Sequence, residues 1–218
     1  MSVVKRMLRR ILPQSVKRKL RGADQRSANT QMFADGGVLL IDKFLDPQQF
    51  IKVQQWAVNA VCDRTREARK WDQGLILDFD ESSGSRQWST EHDDMPPELK
   101  TFVDAVRATG FIDPEAEIHI GVYRWHARSG MGEHFDSHTN TAITFYLNDT
   151  WKDNWFGDFI FYESDEHKAK GMGHAVAPLA NRVVINRDTV SHKVTYTSNL
   201  AVDRITLQAF LPKPKRKE

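Results

Sequence analysis

Three segments in the second half of the chain alternate between polar and apolar side chains, and this pattern constrains the fold more than any other. They are residues 117–125, 141–148 and 204–210. Successive side chains of a strand point to opposite faces, so in the last segment Arg204, Thr206 and Gln208 share one face and apolar residues share the other. Strands of this kind are typical of a barrel wall around a polar interior. The sequence therefore predicts a mainly β fold.

The length of the chain, 218 residues, suits one β-sandwich or barrel with flanking helices. We expect a basic extension over residues 1–30, a single domain over 31–212 and a basic tail over 213–218. Every apolar run is shorter than about 18 residues, so no membrane-spanning segment is expected. Cys62 is the only cysteine, which excludes an intramolecular disulfide and favours a reducing compartment, with the cytoplasm as the default.

Two helices are expected ahead of the alternating strands, as structural support on the outside of the sheet. Asp46 precedes a proline and suits the N-cap of the first helix. The broad apolar face that packs this helix on the sheet includes Ile51 and Val61. The second helix starts after Met95, at a pair of prolines followed by a further apolar stripe. Residues 164–173 are charged and are interpreted as a turn.

Charge is distributed unevenly, although the formal net charge is only +2. Residues 1–23 carry eight Lys or Arg and no acidic residue, and residues 212–218 carry four more with one acidic residue, which leaves an acidic body between basic ends. The first segment has helical spacing until Pro13 and is typical of an amphipathic helix that binds an anionic surface or partner. A solvated extension explains the same pattern. The acidic body makes a nucleic-acid binder the less favoured interpretation.

A candidate metal site lies near the middle of the chain. In an extended segment His134 and Asp136 point to the same face, and His192 follows 56 positions after Asp136 at the start of another predicted strand. Two histidines and one carboxylate form the facial triad that holds Fe(II) and leaves three positions open for a chelating cosubstrate and O₂. The alternative for the first two residues is a solvated surface pair, and His138, on the same strand parity, is a rival ligand.

Arg204 follows His192 by twelve positions and is expected on the same inward face as the metal ligands. A buried arginine is costly unless it meets an anion, and its planar fork fits a carboxylate, so a small dicarboxylate is expected. Arg182 and Lys193 are alternative cations for this role. Tyr146 lies on the inward face of its strand, where its phenol can donate to a buried carboxylate or fill the core.

In these residues the chain resembles the 2-oxoglutarate and Fe(II) dependent dioxygenases, in particular the prolyl 4-hydroxylase-like branch. The landmarks occur in the family's order between residues 117 and 211: Tyr123, His134, Asp136, Tyr146, Trp151, Gly157, Asp158, Pro178, His192, Arg204 and Thr206. The resemblance implies a double-stranded β-helix, or jelly-roll, with Fe(II) held by His134, Asp136 and His192. It also implies that Arg204 pairs with the distal carboxylate of 2-oxoglutarate, and that Tyr146, Tyr123 and Thr206 are further cosubstrate contacts.

The activity implied by the resemblance is hydroxylation of a C–H bond with O₂, with release of succinate and CO₂ and with ascorbate as a candidate reductant. The substrate stays open among protein side chains, free amino acids and small metabolites. The family usually places its basic residue about nine or ten positions after the second histidine, and we attribute the longer spacing here to a longer hairpin turn through residues 196–199. A redox-inert metal-binding barrel of the cupin kind, an isomerase or a ligand-binding module, is the alternative function.

Overall fold

The computed structural model of the chain describes residues 29–62, 64–65, 76–77 and 82–213. The predicted basic extension up to residue 28 and the tail after residue 213 lie outside this part, so their boundaries and roles stay predictions. Within the described ranges, every helix is too short or too polar to cross a bilayer.

Fourteen strands and three α-helices lie in the described part of the chain. The strands are β1 (Thr30–Phe33), β2 (Val38–Ile41), β3 (Arg64–Thr65), β4 (Ile76–Leu77), β5 (Ser82–Gly84), β6 (Trp88–Ser89), β7 (His119–Trp125), β8 (Gly130–His134), β9 (Thr139–Tyr146), β10 (Phe159–Phe161), β11 (His174–Val176), β12 (Val183–Arg187), β13 (His192–Val194) and β14 (Arg204–Pro212). The helices are α1 (Pro47–Val58), α2 (Pro97–Arg107) and α3 (Asp165–Ala169).

These strands form two antiparallel sheets. The first, which we call the major sheet, has the order β1-β2-β12-β9-β14-β7-β5-β3, with β6 also paired with β7. The second, the minor sheet, has the order β11-β10-β13-β8-β4. Neighbouring strands are mostly not consecutive in sequence, because the chain crosses repeatedly from one sheet to the other, as it does in a jelly-roll. The predicted mainly β, double-stranded β-helix fold with flanking helices is confirmed.

The larger part of the hydrophobic core lies between the major sheet and helices α1 and α2. It includes Phe50 and Val53 of α1, Phe102 of α2, and Phe145 and Leu207 of the sheet. Phe102 stacks on Phe145, with ring centroids 5.0 Å apart. Burial of each side chain of this size contributes about 1.5–3 kcal/mol, so the core holds the major sheet and both helices together as one unit.

Helix α1 begins where the sequence predicts, because Asp46 caps it. The Asp46 carboxylate accepts hydrogen bonds from the backbone N–H groups of Gln48 and Gln49. The predicted packing of Ile51 and Val61 on the sheet is wrong, since these side chains are 48% and 73% exposed. Only one stripe of a helix can reach a sheet; Ile51 lies beside that stripe and Val61 lies beyond the end of the helix.

Two connections differ from their predictions. Residues 164–173, predicted as a turn, contain α3, because the Ser164 hydroxyl caps it by accepting from the backbone N–H of His167. Residues 195–203, predicted to hold a longer hairpin turn at 196–199, instead link β13 of the minor sheet to β14 of the major sheet. The partners of β14 are β7 and β9, so the extra residues belong to a crossover between sheets.

Candidate metal centre

The two histidines of the predicted triad come together on neighbouring strands of the minor sheet. His134 ends β8 and His192 begins β13, and the two are direct partners in the antiparallel register. Their ring centroids lie 4.3 Å apart. Nδ1 of His134 lies 2.8 Å from the Gly132 carbonyl oxygen, and Nδ1 of His192 lies 3.0 Å from that of Val190. A carbonyl only accepts, so Nδ1 carries the proton in each ring and the lone pair of Nε2 is left to bind a metal.

Asp136 completes the group from just beyond the end of β8. Its Oδ1 lies 3.6 Å from Nε2 of His134, and its Oδ2 lies 3.4 Å from Nε2 of His192. One ligand atom from each of the three residues lies within 4.8 Å of the others. His138, the rival ligand, is exposed in the following turn and is not part of this group. The structure thus brings together the three residues that the sequence singles out.

The surroundings of the triad keep the second histidine neutral. Burial lowers the pKa of His192 below its usual range; the Asp136 carboxylate opposes this shift, and His134 adds to it. The ring of Phe159 lies against His192 with centroids 5.0 Å apart. A neutral imidazole is the form that binds a metal ion, so this environment favours ligation.

Asn186, which the sequence pattern does not single out, contacts the triad from the major sheet. Its Nδ2 donates a hydrogen bond of 3.1 Å to Oδ2 of Asp136. In the sequence this residue is only the last position of an apolar strand. The signal that could have found it is a single amide directly after Val183, Val184 and Ile185.

A cavity between the two sheets opens onto the triad. Its volume is about 550 Å³, including its open mouth. Besides the triad and Asn186, its walls are formed by Trp125, Met131, Ala142, Thr144, Tyr146, Phe159, Val194, Arg204, Thr206, Gln208 and Phe210. The predicted inward faces of the two longest strands, β9 and β14, therefore do line the interior.

Arg204 lies at the start of β14, with 3% of its surface exposed. Its Nη1 donates a hydrogen bond of 2.6 Å to the carbonyl oxygen of Gly157, and its guanidinium carbon lies 5.3 Å from the centroid of the Trp125 ring. Gly157 has φ +80°, and a Cβ there would lie 3.0 Å from Arg204 Nη1 and 2.9 Å from Cγ2 of Thr197. Only glycine allows this close approach, a requirement that the sequence alone does not reveal.

The alternative cations do not line the cavity. Arg182 forms a two-point ion pair with Asp42, with N–O distances of 2.6 and 3.0 Å. Lys193 lies over the ring of Tyr162, 5.9 Å from its centroid. Among the residues that line this cavity, Arg204 is the one Lys or Arg.

Tyr146 and Thr206 place two hydroxyl groups near Arg204 in the cavity wall. They are direct partners in the register of β9 and β14. Burial raises the pKa of Tyr146 to about 12, although the charges of Arg204 and Arg182 lower it, so its phenol keeps its proton at neutral pH. Oγ1 of Thr206 is buried without a hydrogen-bond partner in the described part of the protein, which fits a group that meets a bound ligand.

Tyr123 does not line the cavity. It is buried beside Trp125 and Met131, and its hydroxyl accepts a hydrogen bond of 2.9 Å from Nε2 of Gln87. Alternation places Tyr123 and Trp125 on one face of β7, but only Trp125 reaches the interior. The contact between Tyr123 and a cosubstrate stays a prediction, and the observed position of Tyr123 does not support it.

No model of a known protein family and no curated protein sequence matches the chain. Solved structures do match it. The prolyl hydroxylase from Trichoplax adhaerens, in complex with a hypoxia inducible factor oxygen degradation domain peptide fragment, is 15% identical, with a TM-score of 0.63 over 94% of this chain and 95% of that chain. A prolyl-4-hydroxylase from Pseudomonas putida is 13% identical, with a TM-score of 0.61 over 82% and 93% of the two chains.

A third similar structure is HygX from Streptomyces hygroscopicus, with nickel and 2-oxoglutarate bound. It is 11% identical, with a TM-score of 0.53 over 81% of this chain and 83% of that chain. At such identities the likeness shows a common fold. The resemblance to prolyl 4-hydroxylase-like 2-oxoglutarate and Fe(II) oxygenases is therefore confirmed at the level of the fold.

Proposed function

We propose that this protein is an Fe(II)- and 2-oxoglutarate-dependent oxygenase that hydroxylates a C–H bond and releases succinate and CO₂. The observation that carries the proposal is the convergence of a metal-ligating group and a buried arginine on one cavity. His134, Asp136 and His192 offer ligand atoms within 4.8 Å of one another, and Arg204 lines the same cavity. O₂ is the oxidant, and ascorbate is a candidate reductant that keeps the iron as Fe(II).

The donor set fits Fe(II). Two imidazole nitrogens and one carboxylate oxygen form the facial triad of non-haem iron oxygenases. A structural zinc site takes four protein ligands, and among the described residues no fourth His, Cys, Asp or Glu joins this group. When bound, the iron supplies the redox chemistry that couples oxidative decarboxylation of the keto acid to hydroxylation.

The residues of the chain itself bind and orient the cosubstrate. Arg204 binds the carboxylate far from the metal through its planar fork, which is already buried and needs no further removal of water. Tyr146, protonated because its pKa is about 12, donates a hydrogen bond to that carboxylate. Thr206 donates another through its buried hydroxyl. These contacts select a dicarboxylate whose keto acid end reaches the triad.

The cavity and the fold are compatible with several classes of substrate, and of these we favour a peptide side chain. The Trichoplax prolyl hydroxylase of the same fold is in complex with a peptide fragment. Free amino acids and small metabolites are the other classes that a screen must include. A reducing compartment, with the cytoplasm as the default, suits both Fe(II) and the single Cys62. We also propose that the basic residues before residue 24 contact an anionic surface or partner.

The test is an anaerobic titration of the protein with Fe(II) and then 2-oxoglutarate, followed by the weak visible charge-transfer band of the chelated keto acid. A substrate screen scored by succinate release then identifies the substrate class. We expect one equivalent of each to bind. Metal binding with no effect of 2-oxoglutarate would instead support the redox-inert cupin-type barrel.

A further inference from the structure

The imidazoles of the triad are held by nearby backbone, whereas the Asp136 carboxylate is held by a side chain of the other sheet. The imidazoles of His134 and His192 are each oriented by a carbonyl two residues earlier. Asp136 lies two residues beyond the end of β8, and its backbone carbonyl accepts hydrogen bonds from the N–H and the hydroxyl of Thr139. Those bonds fix the main chain but do not fix the rotation of the carboxylate.

Asn186 fixes that rotation from the opposite sheet. Its Nδ2 donates to Oδ2 of Asp136 over 3.1 Å, and a carboxylate only accepts, so the NH₂ side of the amide must face it. Asn186 is 2% exposed. On β12 it is paired with Val38 on one side and Ala142 on the other. The donor is therefore anchored in the middle of the major sheet.

Packing does not explain an amide at this position. Val184, which precedes Asn186 on the same face of β12, is apolar and fully buried. A buried amide is costly unless it is hydrogen-bonded, so another apolar residue would suit the strand better. The partner that compensates Asn186 is the metal-ligating carboxylate, which points to a role in the metal site.

We propose that Asn186 is a positioning residue that holds Asp136 as a ligand through one oxygen; this inference rests on the metal site of the proposed function. The hydrogen bond occupies a lone pair of Oδ2 and opposes rotation of the carboxylate. Oδ1, 3.6 Å from Nε2 of His134, keeps both of its lone pairs for the metal, whereas Oδ2, 3.4 Å from Nε2 of His192, gives one to Asn186. A carboxylate that used both oxygens would take one of the three positions that keto acid and O₂ require.

The experiment measures anaerobic Co(II) binding to the wild-type protein and to Asn186→Leu, by affinity and by visible absorption. Leucine keeps the branched shape of asparagine but has no N–H donor. We expect Asn186→Leu to bind Co(II) about 10- to 100-fold more weakly. We also expect its absorption bands to change in intensity. Without Asn186 the carboxylate of Asp136 is free to bind the cobalt through both oxygens, which changes the number of coordinating atoms. Neither readout requires turnover.

A matched control separates this role from a general loss of stability. Val53→Ala removes a buried side chain of α1 that lies in the main core and not in the cavity wall. It should lower the unfolding midpoint while leaving the affinity and the absorption of bound Co(II) unchanged. The unfolding midpoint of each variant is measured beside its Co(II) affinity.

Wild-type affinity and absorption in folded Asn186→Leu would overturn the proposal. If that variant does not fold, Asn186→Ala is measured with the same criteria. A failure of the metal site itself looks different. In that case the wild-type protein binds no Co(II), or binds it with an affinity that His192→Ala does not weaken. The two failures are therefore distinguishable.

Discussion

The two sheets contribute different ends of the same cavity and are built differently. In the major sheet β14 pairs with β7 from Arg204 to Phe210 and with β9 from Thr206 to Pro212, and these strands supply Arg204 and the hydroxyl groups of Tyr146 and Thr206. In the minor sheet β13 pairs with β8 at two positions with a register shift between them, and these strands supply both histidines. The end of the cavity that holds Arg204 thus belongs to the part that carries the main core, whereas the end that holds the triad relies on short strands and individual hydrogen bonds.

This difference predicts that function and stability can be lost separately. The largest expected effect on function is that of Asp136→Ala, which removes a ligand and a charge from the metal end. Succinate release should fall by more than the roughly 10- to 100-fold that loss of an outer partner costs. The free energy of unfolding without metal should fall by about 1–3 kcal/mol, because the buried amide of Asn186 loses its acceptor. Succinate assays and urea unfolding measure the two quantities. Full activity of Asp136→Ala would show that the triad does not hold the catalytic metal.

The largest expected effect on stability belongs to the major sheet. Phe145→Ala removes a fully buried ring that contacts Phe44, Phe50 and Phe102. It should lower the free energy of unfolding by about 3–5 kcal/mol, while folded molecules bind Mn(II) with unchanged affinity. The matched control is Tyr196→Ala, whose ring is 46% exposed, with an expected change within about 0.5 kcal/mol. A weakened Mn(II) affinity in folded Phe145→Ala would show that the two sheets are not separable in this way.

Arg204→Ala should affect one ligand and leave the other unchanged. Without the buried guanidinium, 2-oxoglutarate should bind the Mn(II)-loaded protein about 2–5 kcal/mol more weakly, with unaltered affinity for Mn(II) itself. Arg204→Lys keeps the charge but loses the fork, so its affinity should lie between those of the wild-type protein and Arg204→Ala. Calorimetric titration measures these affinities, with Lys193→Ala as the control. Equal losses in the Lys193 and Arg204 variants would place the carboxylate elsewhere.

The smallest expected effect is the pH dependence that arises from Tyr146. Its folded pKa of about 12 is above the ordinary value of 10.0, so folding favours the protonated phenol. This contribution to stability is complete below pH 10 and is lost as the pH rises through 12. At pH 11 the loss should be about 1 kcal/mol relative to Tyr146→Phe, which lacks the titrating group. Urea unfolding of both proteins at pH 9 and pH 11 provides the measurement; equal losses in both would mean that this phenol is not buried as described.

Part of the fold and of the metal centre follows from local periodicity, and the jelly-roll and the complete triad follow from the resemblance of the motifs. Side chains two apart in an extended segment share a face, so the sequence alone places His134 with Asp136, and Arg204 with Thr206, on common faces. The same rule does not say which positions along a strand lie beside the cavity. Tyr123, which the resemblance implies as a cosubstrate contact, shares a face of β7 with Trp125, but its hydroxyl accepts a hydrogen bond from Gln87 and it does not line the cavity.

Contacts between the sheets cannot be predicted from periodicity, because they depend on how distant strands pack. The bond from Asn186 to Asp136 joins residues 50 positions apart, one in β12 of the major sheet and the other just beyond β8 of the minor sheet. The approach of Arg204 to the Gly157 carbonyl spans 47 positions. The predicted hairpin between β13 and β14 is wrong for the same reason, since length alone does not distinguish a hairpin from a crossover.

The most direct test of the shared cavity is a crystal structure of the protein grown anaerobically with Mn(II) and 2-oxoglutarate, with anomalous scattering used to locate the metal. We expect one strong manganese peak in contact with Nε2 of His134, Nε2 of His192 and a carboxylate oxygen of Asp136. Density for the keto acid should extend from this peak to the guanidinium of Arg204. A manganese peak away from these three side chains, or a keto acid that does not reach Arg204, would contradict the assignment.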